Sequence, residues 1–274
     1  MTIFIFGSTG MLGNYITKYL KEKNKEIVEL TRKDIDASKV SFDILNNLFN
    51  EKNISNKDIV INCIGIIPQS HKINDTSIKN YFIINSLFPI MLSVLCQQNK
   101  AKLIHITTDC VYNGKQNGNY TELDKSNEVS AYGVSKSLGE NCLNATIIRT
   151  SIIGEENRNK YSLVEWIKSN KNNKVKGYTN HYWNGVTCLQ LSKIINEIID
   201  KNLFWNGIRH IFSPSHVSKY DIVKMVNEIY KLNIDIEMFE TDQPINKTLS
   251  SIYNNLFTIP DLKQQIIELY IYNR

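Results

Sequence analysis

Short apolar runs and stretches of helical period alternate along the first half of the chain. The runs at 3–6 (IFIF), 26–30 (EIVEL), 58–63 (DIVINC), 102–107 (KLIHIT) and 146–149 (TIIR) predict strands. Several are apolar almost throughout, as strands buried on both faces are. Between them, apolar positions recur at the helical period over 11–20, 42–50, 78–98 and 131–143 and predict helices. This alternation predicts an α/β fold: a doubly wound parallel sheet covered by helices on both faces. Beyond Ile153 the rhythm breaks into GEENRNKYS, a helix over 163–169 and the Asn- and Lys-rich SNKNNK. Helices over 189–199 and 220–230, a strand over 208–212 and an apolar helix over 262–272 follow. The pattern divides the chain into a regular part, 1–155, and a smaller C-terminal part, 156–274. Some C-terminal segments, such as the strand over 208–212, are expected to cross back into the main sheet.

Composition narrows the function classes. Hydrophobic residues make up 42% and charged residues 22% of the 274, which excludes disorder for most of the chain. The 32 Lys and Arg against 27 Asp and Glu leave +5, a balance that suits a small anionic ligand. It falls well short of a nucleic-acid binder, so no nucleic-acid partner is expected. No apolar run reaches the ~18 residues of a membrane span, and MTIFIFGSTG carries neither a basic leader region nor a cleavage site. A cytoplasmic protein without a membrane partner is therefore expected. Cys63, Cys96, Cys110, Cys142 and Cys188 form no CxxC pair, so neither a metal site nor a disulfide framework is expected.

Gly7, Gly10 and Gly13 follow the first strand and open the first helix in GSTGMLG. Glycines there let backbone N–H groups approach a pyrophosphate and let the helix pack closely on the strand. The spacing is GxxGxxG; it fits a dinucleotide site and also a turn that merely packs. About 20 residues after the glycines, where an acid would bind a ribose 2′-OH, the chain offers Arg32 and Lys33. The pair suits a 2′-phosphate, as in NADPH, or is a pair of solvated loop cations, and Glu29 could still favour NADH. Asp43 and Ile44, placed to meet an adenine, and Cys63-Ile64-Gly65 stand at the same strand ends.

Tyr132 and Lys136 lie four apart on a predicted helix and share a face. A lysine ammonium beside a tyrosine lowers the phenol pKa, and such a phenol can protonate a carbonyl oxygen as hydride arrives on carbon. Thr107-Thr108-Asp109 closes the preceding strand and supplies a hydroxyl for the same oxygen. Glycine turn, strand-end threonine and YxxxK in this order form a far more specific combination than any of them alone.

With FGSTGMLG, INCIG, NSLFP, TTDCVYNG, YGVSKSLGE and IIRTSIIG, the chain resembles the extended short-chain dehydrogenase/reductases. Within them it is similar to the dTDP-4-dehydrorhamnose reductase-like nucleotide-sugar reductases. The resemblance implies a Rossmann-type sheet and reduction of a 4-keto-6-deoxy nucleotide sugar, UDP- or dTDP-linked, in rhamnose-like deoxysugar biosynthesis. It implies Thr108 as the hydroxyl that orients the carbonyl, Tyr132 as general acid, and Lys136 as the cation that also binds the nicotinamide ribose. It places Gly7, Thr9, Gly10, Met11, Leu12, Gly13, Arg32, Lys33, Asp43, Ile44, Cys63, Ile64, Gly65, Thr107 and Ile152 against the cofactor. It places Ile67, Asn85, Asp109, Ser151, Lys160, Asn180, His181, Trp183, Asn184 and Lys247 around the substrate. TRK also looks like the corresponding loop of NADPH-dependent GDP-fucose synthases.

A homodimer is expected on the same ground. The chain departs from the family in carrying Ser130-Ala131 where a proline often precedes the tyrosine, and Thr179-Asn180 where the family has Asp-Gln. Cys110 stands where bifunctional epimerase/reductases carry a thiol that moves a proton α to the carbonyl; its other reading is a small buried residue. A non-catalytic NADP-binding subunit, resembling the regulatory subunit of methionine adenosyltransferase, is the alternative to an enzyme.

Overall fold

The computed structural model describes residues 1–70, 75–157, 160–254 and 256–274. In the first part β1 (Ile3–Phe6) leads into α1 (Met11–Glu22), and β2 (Ile27–Leu30) into α2 (Phe42–Glu51). β3 (Ile59–Asn62) leads into α3 (Asp75–Tyr81) and α4 (Phe88–Gln98), and β4 (Lys102–Thr108) into α5 (Ala131–Leu138) and β5 (Ala145–Thr150). Next come β6 (Ile152–Ile153), α6 (Leu163–Ser169), β7 (Lys174–Tyr178), β8 (His181–Trp183), β9 (Val186–Thr187) and α7 (Cys188–Asp200). The chain continues through β10 (Gly207–His210), β11 (Val217–Ser218), α8 (Lys219–Tyr230), β12 (Asp235–Phe239), β13 (Ile245–Asn246) and α9 (Leu262–Tyr272).

Six parallel strands form the main sheet in the order β2-β1-β3-β4-β5-β10. Alternation along β1 sends Ile3 and Ile5 to one face, against Ile16 of α1 and Ile194 and Ile195 of α7. Phe4 and Phe6 go to the other face, against Leu45 and Phe49 of α2 and Phe88 and Leu92 of α4. Each such side chain contributes about 1.5–3 kcal/mol on burial, which is why these strands read as continuous apolar runs. The chain leaves β1 for β2 on one side and returns to β3 on the other. The loops after β1 and β3 therefore diverge, and an open α/β sheet binds its ligands at such a point.

Several boundaries differ from the sequence reading. The helix expected over 78–98 starts at Asp75, and its turn Phe82–Leu87 is wound as a π-helix. This wider turn carries Asn85 inward, where its amide bonds to the loop after β3. The stretch Thr76–Gln98 is long and apolar enough to cross a membrane by length and composition, against the expectation that no segment would be. Half of it is buried inside the fold, with Phe88, Leu92 and Leu95 packed on the sheet, as in a core helix. The helix expected to reach 143 stops at Leu138, and the strand expected over 208–212 is Gly207–His210. β6–β9 and β11–β13 were not anticipated; five of them span only two or three residues, and β7 and β12 carry exposed charged residues instead of an apolar run.

The segment 245–250 ties the two parts of the chain together. Asn246 N–H donates to the Gly114 carbonyl (2.8 Å), Tyr120 N–H to that of Thr248 (3.0 Å) and Ser250 N–H to that of Tyr120 (2.7 Å). On its other flank, Lys247 N–H donates to the Tyr182 carbonyl (3.4 Å). The loop after β4 and the edge of β8 are thus bonded to one segment.

Candidate active site

A cleft of about 1160 Å³ opens at the carboxyl ends of β1, β3 and β4. α1 starts at its rim with no side-chain cap and no acid in its first turn. By contrast, Ser41, Ser130, Ser162, Thr187, Ser218 and Asp261 cap α2, α5, α6, α7, α8 and α9. The first N–H groups of α1 are left for an anion, and the helix dipole favours one there. Gly7 holds φ at +81°, and a Cβ on Gly13 would stand 2.1 Å from the Gly7 carbonyl oxygen, so strand and helix meet only because both are glycine. These features fit a dinucleotide pyrophosphate.

Arg32 and Ser38 line the far end of the cleft. The Arg32 side chain is 78% exposed and lies 3.9 Å from Asp36, free to turn toward a phosphate. Glu29, the residue that could favour NADH, is ion-paired with Lys21.

At the opposite end Thr108 Oγ1 donates to Asp109 Oδ1 (3.1 Å) and accepts from Cys110 N–H (3.1 Å). The same hydroxyl hydrogen-bonds the Tyr132 phenol, whose ring meets that of Tyr81 edge-on at 5.9 Å. Burial, with Cys110, Asp109 and Tyr81 adding to it, pushes the Tyr132 phenol well above its ordinary range. The expected lowering by Lys136 is therefore corrected: desolvation wins, and Tyr132 rests as a proton donor. Lys136 is buried, and its ammonium has no hydrogen bond or ion pair among the described residues. Burial lowers its pKa to about 8. A Cβ on Gly65 would lie 2.6 Å from Lys136 Nζ, so the ammonium rests on the bare glycine. Burial and the charge of Asp109 push the Cys110 thiol up to about 12, and burial raises Asp109 itself.

Of the residues expected around a cofactor, Gly10, Met11, Leu12, Arg32, Cys63, Ile64, Gly65, Thr107, Tyr132, Lys136 and Ile152 line the cleft. Ile67, Thr108, Cys110 and Ser151 join them, while Thr9 lines a smaller pocket beside Gly10. Lys33, Asp43 and Ile44 stand exposed away from it, the last two on the outer start of α2. Asn85 is a clamp rather than a cleft residue: its amide is exhausted by Ile66 N–H (3.0 Å), the Ile66 carbonyl (3.1 Å) and Ser135 (3.2 Å). Asn184 is likewise spent, on the backbone of Leu249 (2.8 Å in each direction), and Asn180 on Thr241.

His181 bonds Thr241 Oγ1 (2.9 Å), Trp183 is packed in the C-terminal core, and Lys160 is exposed off the cleft. Lys247 lies 3.7 Å from Glu128 and, with Lys219, acts on the buried Asp109. Sequence reasoning missed Ser38, Gln69, Thr76, Asn80, Glu156 and Tyr161 on the cleft wall, and Lys219 beside Asp109. None of these sits in a motif; the break at GEENRNKYS was the one signal for Glu156 and Tyr161.

The sequence matches the RmlD substrate binding domain family over residues 1–250. It is 24% identical to a probable low-salt glycan biosynthesis reductase, Agl14, of Haloferax volcanii, over 84% of this chain and 80% of that protein. The fold superposes on dTDP-4-dehydrorhamnose reductase of Bacillus anthracis, solved with NADP, with a TM-score of 0.83 and 19% identity over 100% and 99% of the two chains. It superposes on the L780 UDP-rhamnose synthase of Acanthamoeba polyphaga mimivirus with a TM-score of 0.74 and 20% identity over 98% of each.

Proposed function

From the premise that this chain belongs to the RmlD substrate binding domain family, we propose that it reduces the 4-keto group of a nucleotide-linked 4-keto-6-deoxy sugar with NADPH. The observation that carries this reading is the meeting of Thr108, Tyr132 and Lys136 on one cleft, beside a helix that starts uncapped. The family and the reductases it resembles support a nucleotide-sugar reductase; the sugar and its UDP or dTDP carrier are our reading.

Bound NADPH supplies the hydride. Gly10, Met11 and Leu12 would hold its pyrophosphate, Arg32 its 2′-phosphate and Lys136 its ribose. Tyr132, a phenol in the resting site, donates its proton to O4 of the sugar. Thr108 presents its hydroxyl to the same oxygen and orients the carbonyl. The Lys136 ammonium then stabilises the phenolate that remains. Incubation with NADPH and a dTDP- or UDP-linked 4-keto-6-deoxyhexose is expected to oxidise the cofactor. NADPH binding without turnover of either would favour the non-catalytic reading instead.

Cofactor choice is tested at Arg32. NADPH is expected to bind more tightly than NADH, and Arg32→Ala to weaken NADPH roughly 10- to 100-fold, the worth of a charge-assisted hydrogen bond, with NADH unchanged. Equal affinities of the unaltered protein for the two cofactors would remove the preference.

A second reading rests on Cys110, which lines the cleft next to Thr108. It is that the protein also exchanges a C3 or C5 proton of the ketosugar through this thiol. With the thiol at about 12, exchange is expected to be slow at neutral pH and to rise with pH. In D₂O without NADPH, deuterium should enter the sugar, and Cys110→Ser should abolish that entry while leaving reduction in place. A ketosugar that is reduced but never exchanges would leave Cys110 as a wall residue only.

A further inference from the structure

The chain leaves β6 through the segment 154–157, which runs beside the first turns of α1. Glu155, Glu156 and Asn157 share the smaller pocket, about 210 Å³, with Gly10 and Met11, and Glu156 also lines the main cleft. Each residue of this segment is tied down. The Gly154 carbonyl accepts from Ser162 Oγ (2.8 Å), and Glu155 N–H donates to the Tyr15 hydroxyl of α1 (3.2 Å). Glu156 N–H donates to Glu165 Oε1 of α6 (3.3 Å), and Asn157 Nδ2 to Asn14 Oδ1 of α1 (3.3 Å). The Glu155 carboxylate is the hub. It accepts from Lys168 Nζ of α6 (2.7 Å), from the Tyr230 hydroxyl at the end of α8 (2.8 Å) and from Asn273 Nδ2 just past α9 (3.0 Å). Asn273 Nδ2 donates to the Tyr15 hydroxyl as well (2.7 Å), and Tyr15 and Tyr230 are both buried.

We propose that Glu155 is a positioning residue for cofactor binding: with Tyr15 and Tyr230 it holds the segment 154–157 as a fixed wall beside the uncapped start of α1. The proposal rests on the reading, given above, that Gly10, Met11 and Leu12 hold the pyrophosphate. Loops are ordinarily the mobile parts of a fold, and one free to move here would let water reach the first N–H groups of α1. Held in place, the segment excludes that water, and the attraction of those groups for an anion grows as the local dielectric falls. Glu156, the acid this wall brings to the cleft, is engaged within its own loop, where Oε2 accepts from Tyr161 N–H (2.8 Å). Three helices from the C-terminal part, α6, α8 and α9, thus bear on the cofactor site through one carboxylate.

The test loosens the hub by two independent routes, Glu155→Ala and the double variant Tyr15→Phe, Tyr230→Phe. Phenylalanine leaves both rings in their apolar clusters and removes only the hydroxyls. In Glu155→Ala, Lys168 keeps its pair with Glu165 (2.7 Å). Without cofactor, amide hydrogen exchange over 154–157 is expected to quicken about 10-fold in both variants, with the cooperative melt and the protection of the main sheet retained. Fluorescence titration should then show NADPH and NADH, which share the pyrophosphate, weakened by the same factor. That factor is expected to be roughly 3- to 30-fold, the scale of one or two hydrogen bonds. Quickened exchange with unmoved affinities overturns the proposal, and so does exchange that stays slow in both variants. Weakening of NADPH alone does the same, since it would place the effect at Arg32, and so does failure of both variants to fold, which would assign the hub to the fold. If the unaltered protein binds neither cofactor, the proposal falls together with the cofactor reading. Binding without turnover of a 4-ketosugar counts against the proposed function alone, and the titrations still decide the role of Glu155.

Discussion

Tyr132→Phe is expected to lower kcat by about 10²–10⁴-fold, the usual worth of a positioned general acid, while NADPH binding is largely retained. Half-buried on the cleft wall and bonded to Thr108, the phenol is raised in pKa, so it holds its proton until the carbonyl oxygen gains charge. Phenylalanine keeps the ring and its edge-on contact with Tyr81, so the loss reports the hydroxyl rather than the packing. Steady-state rates with a 4-ketosugar and cofactor fluorescence titrations measure the two halves of this expectation. Near-normal turnover in the variant would remove Tyr132 from the mechanism.

Gly65→Ala is expected to lower kcat/KM by about 10²-fold, although the substitution never touches a reacting group. The new methyl would sit 2.6 Å from Lys136 Nζ, and what must yield is the tip of a flexible side chain. Stability should therefore change little, while the ammonium leaves its seat; displacement of a catalytic group by about an ångström can reduce rate on this scale. Thermal melting and kinetics together check it: a normal melt with impaired kcat/KM is the expected pattern. A normal melt with unimpaired kinetics would mean that the position of Lys136 is not critical.

The legibility of this chain tracks burial. β1, β3, β4 and β5 were readable to within two residues because strands covered on both faces leave apolar runs, and the edge strand β2 because three of its four residues are apolar. The seven strands around the C-terminal part were not, since five of them span two or three residues and β7 and β12 expose charged residues instead of forming an apolar run. The π-wound turn at Phe82–Leu87 was invisible for a different reason: its apolar pattern is that of any core helix. In the site, Thr108, Tyr132 and Lys136 were legible because adjacent strand and helix ends carry them at fixed spacing. Ser38 reaches the cleft from a 3-10 turn and Glu156 and Tyr161 from a loop, none with motif chemistry, and Lys219 arrives on α8 from far along the chain. Asn180 and Asn184 suited a sugar pocket by residue type, yet both amides were needed to satisfy buried backbone groups. Tyr132 was expected to donate its proton, but the direction of its pKa shift was misjudged because a neighbouring charge is visible in sequence and desolvation is not.

The segment 245–250, bonded to the loop after β4 on one side and to Tyr182 on the other, has a thermodynamic consequence. A segment bonded on both flanks is not free to swing as a hinged lid does. Its ordering entropy is lost once, at folding, and is not charged again at each encounter with substrate. Under the proposed reaction, this segment would contribute to discrimination as a fixed template and not through a closing motion.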